Sequence, residues 1–332
     1  MGNARAPRRL AADAAGIAEA VRQLKWGEIV ALPTETVYGL AADAIHPGAI
    51  ARIYRAKGRP PANPLIVHVS GRAMAERYAE MSPLAERLIA RFWPGPLTLV
   101  LPKRADAPLT GAVTAGLSTV ALRAPDHPVM QAVIEGLGRG IAAPSANVSG
   151  RLSPTDAAHV DVPGLKWLLD GGPCRVGLES SIVRPEPDRL LLLRPGVLGA
   201  QALAAAMGVP VERPGAGAAV EAPGMMWRHY APRLPLDLDV TQAMPDRFWI
   251  GFGPVAGDLN LSPSGNLEEA AAGLFAALHQ ADASGAARIG VAPIPSGDAG
   301  AAIHDRLARA AAGSGVPGHQ PAIDGDDGPR HI

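Results

Sequence analysis

Short apolar runs, separated by helical stretches and often closed by polar clusters, are the pattern that most restricts the fold of this chain. The runs Ile29–Leu32, Leu65–Val69, Leu97–Leu101, Val120–Leu122, Ile141–Ala143, Trp167–Leu169, Ser181–Val183 and Leu190–Leu193 have the length and composition of short buried strands. Between them, Pro47–Ala56, Ser82–Phe92 and His127–Leu137 suit helices, with Ser82 as N-cap and Pro83 in the first turn. Leu10, Ala14, Ile17, Val21 and Leu24 recur at spacings of four and three, which predicts a first helix ending at Gly27. About eight strands interleaved with helices imply an α/β domain built on a twisted mixed sheet, over residues 10–208.

The composition then shifts. Residues 209–236 are rich in proline and glycine without sustained periodicity and read as a linker. Residues 237–316 form a second, smaller α/β unit: Phe248–Phe252 and Arg288–Ala292 suit strands, Leu267–Gln280 and Ala301–Ala312 suit helices. Residues 317–332 read as a polar, disordered tail. The 38 glycines and 33 prolines among 332 residues approach the make-up of disordered chains, but a 48% apolar fraction supplies enough surface to bury.

Charge and cysteine narrow the function. Thirty-one basic residues balance 31 acidic ones, which argues against a chain whose main role is to coat nucleic acid or anionic membrane. Only Lys25, Lys57, Lys103 and Lys166 among those cations are lysines, so each lysine is a position of interest. The lone Cys174 cannot close an internal disulfide; it sits in the turn Gly171-Gly172-Pro173-Cys174 and reads as structural. Asp13 and Glu19 interrupt any signal-like apolar stretch, and no run reaches the roughly 18 apolar residues of a spanning helix. The expectation is a soluble, cytoplasmic protein without a membrane partner.

Four polar clusters carry the chemistry. Pro33-Thr34-Glu35-Thr36-Val37-Tyr38-Gly39-Leu40 follows a strand; Thr34 or Thr36 suits either a helix N-cap or a ligand-facing turn. Arg55, Lys57 and Arg59 crowd a helix end before a turn stiffened by Pro60, Pro61 and Pro64. They suit either solvated charges on the helix dipole or fixed cations for phosphate. Arg123 closes an apolar strand, where a carboxylate partner is its natural role, and Ser145, Asn147 and Ser149 form a loop of small polar residues. No phosphate-binding GxxxxGK[ST], no GxGxxG, no HExxH and no GxSxG is present, and the histidines show no metal-ligand spacing.

In this order and at these separations the clusters resemble the YrdC-type L-threonylcarbamoyladenylate synthases in their long form, which adds a C-terminal domain. The matching stretches are PTETVYGL at 33–40, KGRPPANPLIVHV at 57–69, FWPGPLTLVL at 92–101, STVALRAPDHP at 118–128, PSANVSGRLSPT at 144–155, ESSIV at 179–183 and LRPG at 193–196. APGMMWRHYAP at 222–232 and the helices beyond it look like the long form's linker and second domain. The family's S-T-I-V-D is Ser180-Ser181-Ile182-Val183-Arg184 here, a cation replacing the acid.

The resemblance implies a YrdC-like twisted mixed sheet with flanking helices plus a smaller Rossmann-like C-terminal domain. It implies a nucleotidyltransferase that converts L-threonine, bicarbonate and ATP to L-threonylcarbamoyl-AMP and diphosphate. That is the first step toward N6-threonylcarbamoyladenosine at position 37 of tRNA. By that resemblance Thr36, His68, Arg123, the backbone at Ala143 and Ser181 hold threonine. Lys57, Arg59, Asn63, Thr119, Ser145, Asn147, Ser153, Arg194, His229 and Tyr230 hold ATP, with Lys57 and Arg59 as the catalytic residues. His229 and Tyr230 belong to a linker that would fold over the nucleotide as a lid. Mg²⁺ is expected with ATP, and no tightly bound protein-ligated metal. The implied partners are the downstream machinery that transfers threonylcarbamoyl to tRNA, with room for a weak contact to tRNA itself. Two other readings compete: a non-catalytic RNA-binding module, disfavoured by zero net charge, and a carbamoyl-transfer enzyme, whose zinc-finger CxxC pairs are missing.

Overall fold

The computed structural model describes residues 6–215, 222, 229–242 and 244–315. The expected tail at 317–332 and residues 216–221 and 223–228 of the expected lid lie outside these described residues.

The chain begins with β1 (Arg8–Ala11), α1 (Ala14–Lys25), β2 (Val30–Leu32), β3 (Gly39–Asp43), α2 (Pro47–Lys57) and β4 (Ile66–His68). It continues through α3 (Arg72–Ala75), α4 (Pro83–Phe92), β5 (Leu97–Pro102), β6 (Thr119–Arg123), α5 (Pro128–Leu137) and β7 (Ile141–Ala142). Next come β8 (Trp167–Asp170), β9 (Ser181–Pro185), β10 (Leu190–Arg194), α6 (Ala200–Met207) and β11 (Val211–Glu212). The second unit holds β12 (Leu236–Asp237), β13 (Arg247–Gly251), β14 (Leu259–Asn260), α7 (Leu267–Asp282), β15 (Arg288–Val291) and α8 (Asp298–Gly313).

Strands β1–β11 form one mixed sheet in the order β1-β8-β2-β3-β7-β4-β6-β5-β9-β10-β11. The second sheet, β12-β15-β13-β14, is parallel throughout, with α7 and α8 as its helices. The apolar pattern explains the first sheet: β2, β3 and β4 are buried at every position, so they cannot lie at a wet surface. Each large aliphatic side chain buried here contributes about 1.5–3 kcal/mol relative to exposure.

Two local expectations are corrected. Leu10 does not belong to the first helix; it lies in β1, paired with Leu169 of β8, and the helix starts only at Ala14 behind the cap Asp13, whose Oδ1 accepts from Gly16 N at 2.8 Å. The spacing from Leu10 to Ala14 imitated a helical turn, but only Leu10 is buried, and Ala14 is exposed in the first turn of α1. The PTETVYGL segment opens no helix either. The Thr34 hydroxyl accepts from Thr36 N and Val37 N, which bends the chain back into β3, antiparallel to β2.

The two units meet along specific contacts. Gly177, at φ 73°, lies against the backbone of Ala272 in α7, where an added Cβ would stand 2.2 Å from the Ala272 oxygen. Asp298 in α8 accepts from Gln201 N and Ala202 N, capping α6 from across the interface.

Candidate active site

The strand ends of the first sheet place the polar clusters together. His68 ends β4, Arg123 ends β6, and parallel pairing sets the two residues side by side in register. The PTETVYGL turn and the Pro144–Asn147 loop are tied to each other by Leu40 N to Pro144 O at 2.7 Å and Ala146 N to Tyr38 O at 2.8 Å. Between them lies a narrow cavity of about 50 Å³, whose lining includes Thr36, Arg59, His68, Arg123, Ala143, Ser145, Glu179, Arg194, His229 and Tyr230.

On one side of this cavity, Arg123 Nη1 donates to Thr36 Oγ1 at 2.9 Å, and its Nε donates to Gly95 O at 3.3 Å. Its Nη2 stands 2.7 Å from Glu35 Oε2, off the hydrogen-bonding direction. His68 is buried beside this guanidinium with Nδ1 unpartnered, and burial together with the Arg123 charge pushes its pKa down to about 3. The imidazole is therefore neutral at physiological pH. Ser181 is fully buried at the start of β9, its hydroxyl donating to Leu198 O at 2.7 Å.

The opposite side is cationic. Gly58 caps α2 in the left-handed conformation, φ 59°, which turns the chain so that Arg59 points inward. Its guanidinium is held by its own loop: Nε donates to Asn63 O at 3.1 Å, and Nη2 donates to Asn63 Oδ1 and Pro64 O, each at 2.6 Å. Burial lowers its pKa to about 10, so it remains charged. Arg194 donates through Nε and Nη2 to Ser180 O, at 3.1 and 2.9 Å. Of the three cations crowding this helix end, Arg55 is exposed while Lys57 and Arg59 are buried. The dipole-charge reading therefore suits Arg55 alone.

Lys57 is placed differently from Arg59. Its Nζ donates to Ser145 O at 2.6 Å and Asn147 O at 2.5 Å, so it clamps the serine-asparagine loop from behind. Burial and the Arg59 charge pull its pKa well below the usual lysine range. Lys57 and Asn147 line a larger groove of about 880 Å³ between the two units. Asn63, Thr119, Ser153 and Ser181 likewise fall outside the narrow cavity's lining, Thr119 opening β6 and Ser153 bonding Glu179.

Two features were missed in the sequence. Glu179, in the ESSIV stretch, carries the cavity's carboxylate. Burial opposes its charge, but Arg306, Arg194 and the Ser153 hydroxyl outweigh that and hold its pKa below the usual carboxylate range. The second is a set of buried polar atoms without partners around the cavity: His68 Nδ1, His229 Nδ1 and Tyr230 OH. Buried polar groups are rarely left unpaired, and His68, His229 and Tyr230 all line this cavity. His229 stacks edge-on against Tyr230 with ring centroids 4.0 Å apart, and Tyr230 is held at φ 63°. Burial and the nearby Lys57, Arg59 and Arg194 charges push the His229 pKa down to about 3. Cys174 is buried, with its thiol pushed up to about 12 by burial, so it offers no nucleophile.

Comparison with known proteins fits this geometry. The Sua5_yciO_yrdC family model, described as telomere recombination, matches residues 22–196, and the model for the threonylcarbamoyl-AMP synthase C-terminal domain matches residues 198–312. The threonylcarbamoyl-AMP synthase of Bacillus subtilis is 40% identical over 325 residues, covering 90% of this chain and 93% of the relative. The crystal structure of P. abyssi Sua5 complexed with L-threonine superposes with a TM-score of 0.82 at 34% identity, covering 93% of this chain and 98% of the other. A variant of P. abyssi Sua5 with an adjacent His and Tyr both changed to Ala superposes with a TM-score of 0.81 at 33% identity, covering 93% and 97%.

Proposed function

This chain belongs to the Sua5/YrdC family, in the form that carries the threonylcarbamoyl-AMP synthase C-terminal domain, and on that premise we propose how its site makes L-threonylcarbamoyl-AMP. The reaction joins L-threonine, bicarbonate and ATP, with loss of water and release of diphosphate. The carrying observation is the cavity itself, which gathers Arg123 with Thr36 and neutral His68, and Arg59 with Arg194, around one space.

Carbamate formation from an amine and carbon dioxide needs no covalent help from the protein. The carbamate oxygen must then reach the α-phosphorus of ATP, and both partners are anions, so positioning and charge neutralisation dominate. Arg123 pairs with the threonine carboxylate, Thr36 and Ser181 sit beside it, and the Ala143 backbone and His68 Nδ1 take the amine and hydroxyl. Arg59 and Arg194 face the phosphates, with Asn63, Thr119, Ser145, Asn147 and Ser153 as further nucleotide contacts. Lys57 acts through the loop it clamps. Among the described residues no group of three or more His, Cys, Asp or Glu could hold a metal ion. Mg²⁺ would arrive with ATP and supply charge neutralisation on the phosphates.

A cavity of about 50 Å³ is far below the roughly 300–1,000 Å³ of ligand pockets. His229 and Tyr230 must therefore move aside for ATP and return over it, excluding water from an adenylate that hydrolyses readily. This chain contains one His-Tyr dipeptide, residues 229–230. The product supplies a group transfer to tRNA in the cytoplasm, and no helix among the described residues is long and apolar enough to cross a membrane.

The test is diphosphate release from threonine, bicarbonate, Mg²⁺ and ATP. Release should require threonine; equal release without it would overturn the assignment.

A further inference from the structure

We propose that Arg306, carried on α8 of the second domain, is a positioning residue for the nucleotide half of the active site. The proposal rests on the threonylcarbamoyl-AMP synthase reading above and gives the second domain a task within it.

Helix α8 is amphipathic, and an arginine on it would ordinarily lie in water. Arg306 is instead fully buried. Its Nε donates to Glu179 Oε2 at 2.8 Å, and its Nη1 donates to Asp305 Oδ2 at 2.7 Å. Its guanidinium carbon lies 4.9 Å from the centroid of the Tyr230 ring, which on another side meets Phe275 of α7 at 5.6 Å. Glu179 accepts from the Ser153 hydroxyl with its other oxygen. One cation from the second domain thus touches two residues of the cavity wall, Glu179 and Tyr230, and through Glu179 reaches Ser153. Burying a guanidinium is costly unless it is paired and hydrogen-bonded, so its placement fixes these partners in turn.

Charge balance explains what Arg306 does there. Glu179 shares the wall with Arg59 and Arg194, the two cations that face the phosphates. With Arg306 present, the Glu179 carboxylate has its own counter-charge, so it need not draw Arg194 away from the nucleotide. Without Arg306, Glu179 either takes up a proton or competes for Arg194, and the Ser153 hydroxyl loses its fixed acceptor. The Tyr230 ring also loses the cation over its face, which helps hold the left-handed turn at 230. On the threonine half, at the ends of β4 and β6, the Arg123 hydrogen bonds among the described residues run to Thr36 and Gly95 rather than to Arg306, Glu179 or Tyr230.

The experiment is to compare wild type with Arg306→Met and Arg306→Lys. Steady-state KM for ATP is read from diphosphate release, and threonine affinity from calorimetric titration of the full chain. Arg306→Met should raise KM for ATP at least tenfold while threonine Kd stays within twofold, and Arg306→Lys should recover part of the loss. Adding Glu179→Gln to Arg306→Met should change KM for ATP less than Glu179→Gln does alone, because the pair acts as a unit. An unchanged KM for ATP, an equal loss of ATP and threonine affinity, or additive effects in the double variant would overturn the proposal. If Arg306→Met does not fold, Arg306→Lys decides by the same two readouts: a threefold or larger rise in KM for ATP with intact threonine binding supports it, and any other result overturns it. A wild type that releases no threonine-dependent diphosphate would defeat the underlying assignment instead.

Discussion

Arg123 Nη2 lies 2.7 Å from Glu35 Oε2, with the two side chains only 4% and 1% exposed, so the cation assigned to the threonine carboxylate already faces a buried carboxylate of its own protein. The contact has two separable consequences. Arg123→Met should cost about 3–5 kcal/mol of stability by urea denaturation, because it leaves Glu35 as a buried, uncompensated charge. Combining it with Glu35→Gln should recover much of that stability, while threonine binding by calorimetry stays lost in both. Recovery of threonine binding in the double variant would remove Arg123 from the substrate.

Lys57 and Arg59 are two residues apart yet should fail differently. Lys57 supports the loop of Ser145 and Asn147 through backbone carbonyls, so Lys57→Ala should lower the urea midpoint by an amount worth about 1–3 kcal/mol as those buried acceptors lose their donor. Its activity should fall through misplacement of the loop. Arg59 faces the cavity, and Arg59→Ala should cost about 2–4 kcal/mol in kcat/KM, comparable to losing one preorganised donor. Near-normal kcat/KM in Arg59→Ala would contradict a phosphate role.

The sheet and the position of Arg123 were legible because strands buried on both faces write themselves as continuous apolar runs, and a polar residue ending such a run has no packing reason to be there. Arg123 stands out on that argument alone, whereas His68 lies inside the run Leu65–Val69 and was named through the family resemblance; the structure sets the two side by side at the ends of β4 and β6. The strand Gly39–Asp43 was hidden inside a cluster read for its hydroxyls, since a turn bonded through Thr34 and a helix cap present the same residues. Arg306 was illegible for a deeper reason. Helical periodicity assigns charged positions to water, and only the approach of a second element, here the loop carrying Glu179, can make a buried arginine acceptable. Contacts between distant segments have no local signature.

The close approach of the two units makes a prediction about glycine. Gly177 and Gly208 both have left-handed backbones, φ 73° and 68°, so alanine at either is strained by roughly 1–2 kcal/mol. At Gly208 the new methyl meets open space, whereas at Gly177 it would stand 2.2 Å from the backbone oxygen of Ala272. A backbone atom inside a helix cannot rotate away as a side chain can. Gly177→Ala should therefore lower Tm clearly more than Gly208→Ala, and equal shifts in the two would mean that the units do not pack as described.

His68 supplies the pH dependence. Its pKa falls from 6.5 to about 3 on folding, because burial and the Arg123 charge both disfavour the protonated ring. Between those values the unfolded chain binds a proton that the folded chain does not. Stability must therefore decline as pH falls below about 6.5, with a slope of about 1.4 kcal/mol per pH unit from this one residue, and the effect is absent above that pH. His68→Asn removes this titration while leaving the other groups in place, so the difference between the two stability curves isolates it. Urea denaturation from pH 7.5 down to pH 4.5 should show the curves running parallel above about pH 7 and wild type losing stability faster below it. Curves that stay parallel to pH 4.5 would mean that the imidazole is protonated in the folded state, and a charged ring beside Arg123 would then have to hold its proton against both burial and repulsion.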